Sequence, residues 1–242
     1  MRFVILAQPR TGSSLLVSSL RQHPQVMCRD EVLNAWQAKW FQDCPSDGRG
    51  RLLHCLSAPG EKAVGCKLHV SQPDADHHSP LEWESAWDAL SEDPEIRVIC
   101  LYRQDLIAQL ASFKIAAKTN QWGVQNIVQR PTIEILPDEL KWFQKWNRMA
   151  YQARLGRLTH HCVLSVSYEQ LTSAWDTTLE FIQQFLEVNV VSLRQSISKG
   201  ETRMLEDVVQ NYRQLIALPW ARESVISIPV PDHTSSPAPR SK

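Results

Sequence analysis

The stretch Arg2–Pro24, RFVILAQPRTGSSLLVSSLRQHP, decides how this chain folds. Its apolar run Phe3–Ala7 is typical of a buried parallel strand. Apolar residues return at helical spacing over Leu15–Leu20, and the His-Pro pair that follows predicts the end of a helix. A strand that turns directly into a helix leaves the first helical N–H groups free, and these groups attract anions. The sequence therefore predicts an anion-binding loop over residues 10–14.

The residues of this loop narrow the choice of anion. Gly12, Ser13 and Ser14 are small enough for a phosphate or sulfate to lie against the backbone. The loop lacks the first glycine of the nucleotide-triphosphate motif G-x-x-x-x-G-K-[ST], and Ser13 stands where that motif has its lysine. This disfavours an ordinary kinase or NTPase. From the loop alone, an anion site and a turn without a ligand are equally good interpretations.

The composition limits the class of protein. The chain has 242 residues, enough for one large α/β domain, and its 26 basic side chains balance 26 acidic ones. This balance argues against nucleic acid or a membrane surface as the main partner. The first apolar run is too short to span a bilayer and leads into the loop rather than a cleavage site. We therefore expect a soluble, unprocessed, cytoplasmic protein.

The cysteines and histidines do not predict a metal site. Six cysteines are present without C-x-x-C spacing, and Cys66, Cys100 and Cys162 fall in predicted strands, so we expect buried free thiols. The run DADHH, Asp74–His78, is interpreted as a solvated acidic loop because no partner ligands recur at a fixed spacing.

Predicted strands and helices alternate along the chain. Further strands are predicted at Ala63–Val70, Arg97–Tyr102 and Cys162–Val166, and helices at Glu31–Gln42, around Trp83 and Trp87, after Arg103, from an Asp138 N-cap onward, and over Trp175–Leu186. Such alternation predicts a P-loop-like, three-layer α/β/α fold with a central parallel sheet.

The same patterns predict how the domain is bounded. Residues 119–137, with a glycine, two prolines and several amides, are predicted to form a long loop or lid. Residues 1–227 are expected to form one domain, and the Pro- and Ser-rich residues 228–242 a disordered tail.

A second candidate anion element follows the strand Arg97–Tyr102. Arg103 comes at the end of this strand, and Ser112 lies in the next helix. Ligands of parallel sheets bind beyond the carboxyl ends of the strands, where both Arg103 and the loop 10–14 are expected. An isolated arginine after a strand is also often only a surface residue.

These elements resemble the sulfotransferases that use 3'-phosphoadenosine-5'-phosphosulfate. In that family a P-R-x-G-S-[ST] loop holds the 5'-phosphosulfate, which assigns Arg10, Thr11, Gly12, Ser13 and Ser14 to donor binding. An apolar strand followed by Arg, with a helical Ser nine residues later, holds the 3'-phosphate, and Arg103 and Ser112 match it. SVSYEQL is similar to the later strand–Tyr-Glu-x-Leu segment of the family. The resemblance implies the family's sulfate donor and a sulfotransferase activity.

Within the family, the chain is most similar to the bacterial carbohydrate sulfotransferases, including the type that sulfates trehalose. A glutamate shortly after the first helix is the proposed general base there, and Glu31 in RDEVLNAW matches it. The group's G-x-K-L strand matches GCKLHV, which adds Lys67 to the catalytic candidates with Arg10 and Glu31. An alternative role for Glu31 is to favour a helix start through the dipole. His69 is an alternative base.

The resemblance implies a small carbohydrate or other metabolite as the acceptor, through a hydroxyl group. Two other functions remain open from the sequence: a non-catalytic nucleotide-binding module and an atypical small-molecule kinase. Trp36 and Trp122 are expected to line either an acceptor pocket or a subunit contact, and a homodimer is one possible assembly.

Overall fold

The first strand, β1 (Arg2–Ala7), lies at the centre of a five-stranded sheet in this computed structural model. It pairs in parallel with β3 (Ala63–His69) on one side and with β4 (Arg97–Tyr102) on the other. β2 (Val26–Glu31) and β5 (Val163–Ser167) are the parallel edge strands, giving the order β2-β3-β1-β4-β5. The predicted α/β class with a central parallel sheet is confirmed.

The structure describes residues 1–34, 44–71, 80–122, 131–195 and 203–222. Several predictions concern segments outside these ranges: the helix continuing past Asn34 with Trp36, the acidic loop Asp74–His78, the centre of the predicted lid, and the tail 228–242.

Helices cover both faces of the sheet. In chain order they are α1 (Ser13–Leu20), α2 (Gly48–Cys55), α3 (Pro80–Ser91), α4 (Leu106–Thr119), α5 (Pro137–Leu155), α6 (Tyr168–Ser173), α7 (Trp175–Phe185), α8 (Leu205–Val208), α9 (Tyr212–Ile216) and a final 3-10 turn, Pro219–Arg222. Within the described ranges, no helix is both long and apolar enough to cross a membrane.

Alternate residues of β1 pack into different cores. Phe3 and Ile5 join the core formed with α1 and α7, whereas Val4 and Leu6 join the core formed with α2, α3 and α5. This follows from the two-residue period of a strand, whose successive side chains point to opposite faces. Because both faces are covered, an uninterrupted apolar run is required here.

The prediction of a helix beginning at Glu31 is wrong, because Glu31 is the last residue of β2. The pattern missed β2 because an edge strand of this sheet is only partly buried: Val26 and Cys28 enter the core, while Arg29 and Asp30 are half-buried. Its sequence, VMCRDE, therefore lacks the apolar continuity expected of a central parallel strand. Helix α2 was also not predicted.

Two other boundaries differ from those predicted. Asp138 is not the N-cap of α5; the helix starts at Pro137 after an extended Leu136, because the fixed φ of proline suits the first helical position. Cys162 is exposed and lies just before β5, so the prediction of a buried strand cysteine is wrong there. Cys66 and Cys100 are buried free thiols, as predicted.

Tyr151 of α5 fixes the carboxyl end of β1. Its hydroxyl accepts a hydrogen bond from the backbone N–H of Gln8 (3.0 Å) and donates one to the carbonyl of Leu101 in β4 (2.6 Å). Tyr151 is 2% exposed, so neither backbone group has ready access to water. The loop after β1 therefore starts from a backbone position that β4 and α5 hold together.

We expect Tyr151→Phe to lower the free energy of unfolding by about 1–3 kcal/mol, because it leaves two buried backbone groups without their partner. Urea unfolding monitored by circular dichroism measures this. Tyr212→Phe is the matched control, since among the described residues the Tyr212 hydroxyl has no hydrogen-bond partner. Equal effects of the two substitutions would contradict the anchoring role of Tyr151.

Candidate active site

The loop between β1 and α1 turns through two residues with left-handed backbone. Arg10 has φ +67° and Gly12 has φ +85°. At Gly12 only glycine fits, because an added Cβ would lie 2.6 Å from the Tyr168 ring. Gly12 is also the N-cap of α1, and since it has no side chain, it cannot cap the first helical N–H groups itself. Those groups therefore remain available to an anion.

The polar side chains of the loop point in different directions. Thr11 is buried, and its hydroxyl donates to the carbonyl of Gln8 (2.8 Å), which stabilises the turn internally. Ser13 is buried at the start of α1, whereas Ser14 is exposed. Gln109 of α4 donates to the carbonyl of Pro9 (2.9 Å) and ties the loop to the neighbouring helix.

The two predicted anion elements meet at Arg10. Its Nε donates to the Ser112 hydroxyl (2.9 Å), and its Nη1 donates to the carbonyl of Trp122 (2.8 Å). Arg103 approaches from the other side and donates through Nη1 to the carbonyl of Arg10 (3.2 Å). Residues about a hundred positions apart in the chain are thus brought into one group of hydrogen-bond donors.

Arg103 is partly buried, and part of its guanidinium has no partner among the described residues. Its Nε is buried and has no hydrogen-bond partner among the described residues. The guanidinium stacks on the ring of Tyr168, 4.4 Å from the ring centre. Burial lowers the pKa of Arg103, although an arginine keeps its charge at any physiological pH. A buried cation with an unused donor is a good partner for a phosphate.

On the other side of β1, Lys67 of β3 contacts two carboxylates and the loop. Its Nζ lies 2.6 Å from Asp30 Oδ1 and 2.9 Å from Glu31 Oε1, and it donates to the Ser14 hydroxyl at 3.3 Å. The Lys67 side chain is only 1% exposed. Lys67 therefore connects the carboxylates to the start of α1.

Glu31 is held in its ionised form. Burial raises its pKa, but the charge of Lys67 and the charge that His69 carries once protonated in acid, together with hydrogen bonds from Lys67 and Asn34, outweigh burial and lower the pKa to about 2. His69 Nε2 lies 3.5 Å from Glu31 Oε1, and burial lowers the pKa of His69 to about 4. At neutral pH His69 is therefore uncharged, and Lys67 is the cation that acts on Glu31.

Sequence reasoning missed the roles of Asp30 and Tyr168. Asp30 precedes Glu31, and in a regular strand the two side chains would point to opposite faces, so nothing in the spacing suggested that both reach Lys67. The segment containing Tyr168 was noticed, but its ring position over Gly12 and Arg103 depends on how α6 packs. The one signal in the sequence for a role of Asp30 was its position directly beside Glu31, which makes two successive acidic residues.

A separate cavity of about 610 Å³ lies between α4 and α5. Its walls include Phe113, Lys114, Trp142 and Trp146, and Trp142 stacks on Trp146 with ring centres 5.9 Å apart. The α4 residues that line it lie on the face opposite Ser112, so this cavity does not include the anion-binding loop.

Comparisons with known proteins found relatives that match most of the chain. No protein-family model matches the chain. Nodulation protein H of Rhizobium tropici is 26% identical over 228 residues, covering 88% of this chain and 87% of that protein. Nodulation protein H of Rhizobium meliloti strain 1021 is 28% identical over 240 residues, covering 88% and 89%. Both relatives are similar to this chain over nearly nine tenths of its length, at less than 30% identity.

Two solved structures are also similar to this chain. A sulfotransferase from Alicyclobacillus acidocaldarius has a TM-score of 0.46 and 16% identity, covering 91% of this chain and 92% of that one. Mouse sulfotransferase SULT7A1, solved in complex with PAP, has a TM-score of 0.46 and 13% identity, covering 79% of this chain. The match spans 60% of the length of the mouse protein.

Because the pKa of His69 is lowered in the folded protein, we expect the stability of the protein to depend on pH. Its folded pKa of about 4 lies below the ordinary value of 6.5, so the unfolded chain takes up the proton first as the pH falls. The stability that neutral His69 provides is complete above pH 6.5 and is lost between pH 6.5 and 4. We expect the free energy of unfolding to fall by up to about 3 kcal/mol more in the parent than in His69→Gln over this window.

Denaturant unfolding at a series of pH values measures this difference. The parent and His69→Gln share every other titrating group, and the groups that do not interact with His69 cancel in the comparison. Glu31, whose pKa is lowered by His69, is the group that does interact with it. Two parallel stability curves would show that His69 titrates alike in the folded and unfolded chains.

Proposed function

We propose that this enzyme transfers a sulfuryl group from 3'-phosphoadenosine-5'-phosphosulfate to a hydroxyl group of a small carbohydrate or other metabolite. The observation that carries the proposal is the meeting of two anion elements at Arg10, through the Ser112 hydroxyl and the Arg103 guanidinium. A donor with phosphates at both the 5' and the 3' position requires two such elements side by side. A nucleoside triphosphate needs only one continuous phosphate site.

The residues of the site fit this donor. The N–H groups at the start of α1, with Arg10 and the loop residues Thr11 to Ser14, would bind the 5'-phosphosulfate. Arg103 and Ser112 would bind the 3'-phosphate. Arg103 has a buried Nε without a partner among the described residues, and Ser112 accepts from Arg10, which leaves its own hydroxyl hydrogen free to donate.

The donor supplies the sulfuryl group, and the side chains around Lys67 would assist its transfer. A bond forms between the acceptor oxygen and sulfur, the bond between sulfur and the phosphate oxygen breaks, and adenosine 3',5'-bisphosphate leaves. Glu31, ionised in the folded protein, would take the proton of the acceptor hydroxyl. Lys67 and Arg10 would stabilise negative charge on the transferred group and the leaving oxygen.

Sulfate transfer from labelled donor to a panel of mono- and oligosaccharides and other hydroxyl-bearing metabolites tests the proposal directly. In this assay Glu31→Gln should lower turnover about 10²-fold or more, because the amide keeps the shape of the side chain but cannot accept the proton. Binding of adenosine 3',5'-bisphosphate should remain close to that of the parent.

Because Glu31 ends β2, it does not start a helix, and the alternative to catalysis is a structural role as the ion-pair partner of Lys67. Stability alone cannot separate these two roles. Since Glu31 pairs with Lys67 at 2.9 Å, Glu31→Gln is expected to lower the melting temperature even if Glu31 is the base. The measured rate is therefore divided by the concentration of sites that bind adenosine 3',5'-bisphosphate, so that unfolded molecules do not lower the turnover. Glu84→Gln is the control, because Glu84 is also an ion-paired glutamate, with Arg154 and Arg157 as its partners, but lies on α3 and away from the loop. Full turnover by Glu31→Gln would remove Glu31 from the mechanism, and no transfer by the parent would overturn the proposed function.

A further inference from the structure

An irregularity in β2 brings two successive carboxylates to one ammonium group. Arg29 lies opposite Cys66 and Glu31 lies opposite Lys67, so Asp30 is an extra residue in β2 with no counterpart in β3. Bulges of this kind change the direction of side chains and often occur beside active sites. Here the result is that Asp30 and Glu31 both contact Lys67 Nζ, at 2.6 and 2.9 Å.

A single carboxylate would balance the charge of Lys67 only in the resting enzyme. Lys67 is 1% exposed, and a buried ammonium is costly unless an opposite charge lies beside it. When Glu31 takes the acceptor proton it becomes neutral, and its attraction for Lys67 is lost at that moment. Asp30 is the other carboxylate within ion-pair distance of Lys67 among the described residues.

We propose that Asp30 is a positioning residue that keeps Lys67 balanced and in place while Glu31 accepts the proton. The inference rests on the proposed function and adds a residue to it. The negative charge of Asp30 balances the positive charge of Lys67. Glu31 can then be protonated while the buried ammonium of Lys67 keeps one carboxylate beside it.

The hydrogen bonds of Asp30 suit this role. The same oxygen, Oδ1, that contacts Lys67 also accepts the backbone N–H of Glu31 at 2.9 Å. Asp30 Oδ1 thus holds both the Lys67 ammonium and the backbone of Glu31, the proposed base. Lys67 in turn reaches the Ser14 hydroxyl at 3.3 Å, so its position relative to the anion-binding loop depends on Asp30 as well.

Asp30→Asn tests the inference because it keeps Oδ1 as an acceptor and removes only the charge. We expect kcat per bisphosphate-binding site to fall at least tenfold, with the KM for the acceptor unchanged. Lys67 would then depend on Glu31 alone, which disfavours protonation of Glu31. Affinity for adenosine 3',5'-bisphosphate should not weaken, because a negative charge near an anion site has been removed. Asp30→Glu should restore most of the rate, since it restores the charge.

Asp93→Asn is the matched control for a lost ion pair. Asp93 lies 2.7 Å from Arg2 and is 28% exposed, against 2.6 Å and 27% for Asp30 beside Lys67. Asp93→Asn should leave kcat unchanged. A parent-like kcat for Asp30→Asn would overturn the inference and leave the proposed function standing. Equal losses in Asp30→Asn and Asp30→Glu would also overturn it, because the charge would then be irrelevant. A parent without sulfate transfer would overturn both.

Discussion

The site depends on the pairing of β1 with β3 on one side and β4 on the other. Because β1 is the central strand, the loop that follows it lies between residues of both neighbours. Lys67 of β3 reaches Ser14, and Arg103, directly after β4, reaches the carbonyl of Arg10. A β1 at the edge of the sheet would have only one of these partners. The sheet order thus determines which charged groups surround the start of α1.

The charges on the two sides of the loop are balanced in different ways. On the β3 side, Lys67 lies between Asp30 and Glu31, and the cluster is held by ion pairs within the protein. On the β4 side, Arg103 stacks on Tyr168 and keeps a buried Nε without a partner among the described residues. The first arrangement suits proton transfer, since a carboxylate is kept ionised beside a cation. The second suits the binding of an anion from solution.

The sequence predicted the parts of this arrangement that depend on local pattern. The apolar run of β1, the small residues after it and the helical period of α1 are all local, and each indicated its structure correctly. The strand carrying Arg97–Tyr102 and the position of Arg103 at its end were equally clear. The closeness of Arg103 to the loop was expected because both follow strands of a parallel sheet, and the resemblance to a family added the role of Ser112.

The features that the sequence did not predict depend on irregular or long-range structure. β2 was missed because an edge strand has both apolar and polar residues without a clear period. Its extra residue, Asp30, cannot be recognised from composition or spacing. The ring of Tyr168 reaches Gly12 only through the packing of α6 against the loop. Proline at the start of α5 sets the helix boundary, and the N-cap is Leu136, two positions before the predicted Asp138.

The central claim is that the loop and Arg103 together bind a nucleotide with a 3'-phosphate. Isothermal titration of adenosine 3',5'-bisphosphate and of AMP, without divalent metal, into the parent and Arg103→Ala tests it most directly. We expect the parent to bind the bisphosphate, and Arg103→Ala to weaken that binding about tenfold or more while AMP binding changes far less, since a charge-assisted hydrogen bond contributes roughly 1.5–3 kcal/mol. Equal losses for both ligands, or a parent that binds Mg-ADP and not the bisphosphate, would contradict the claim.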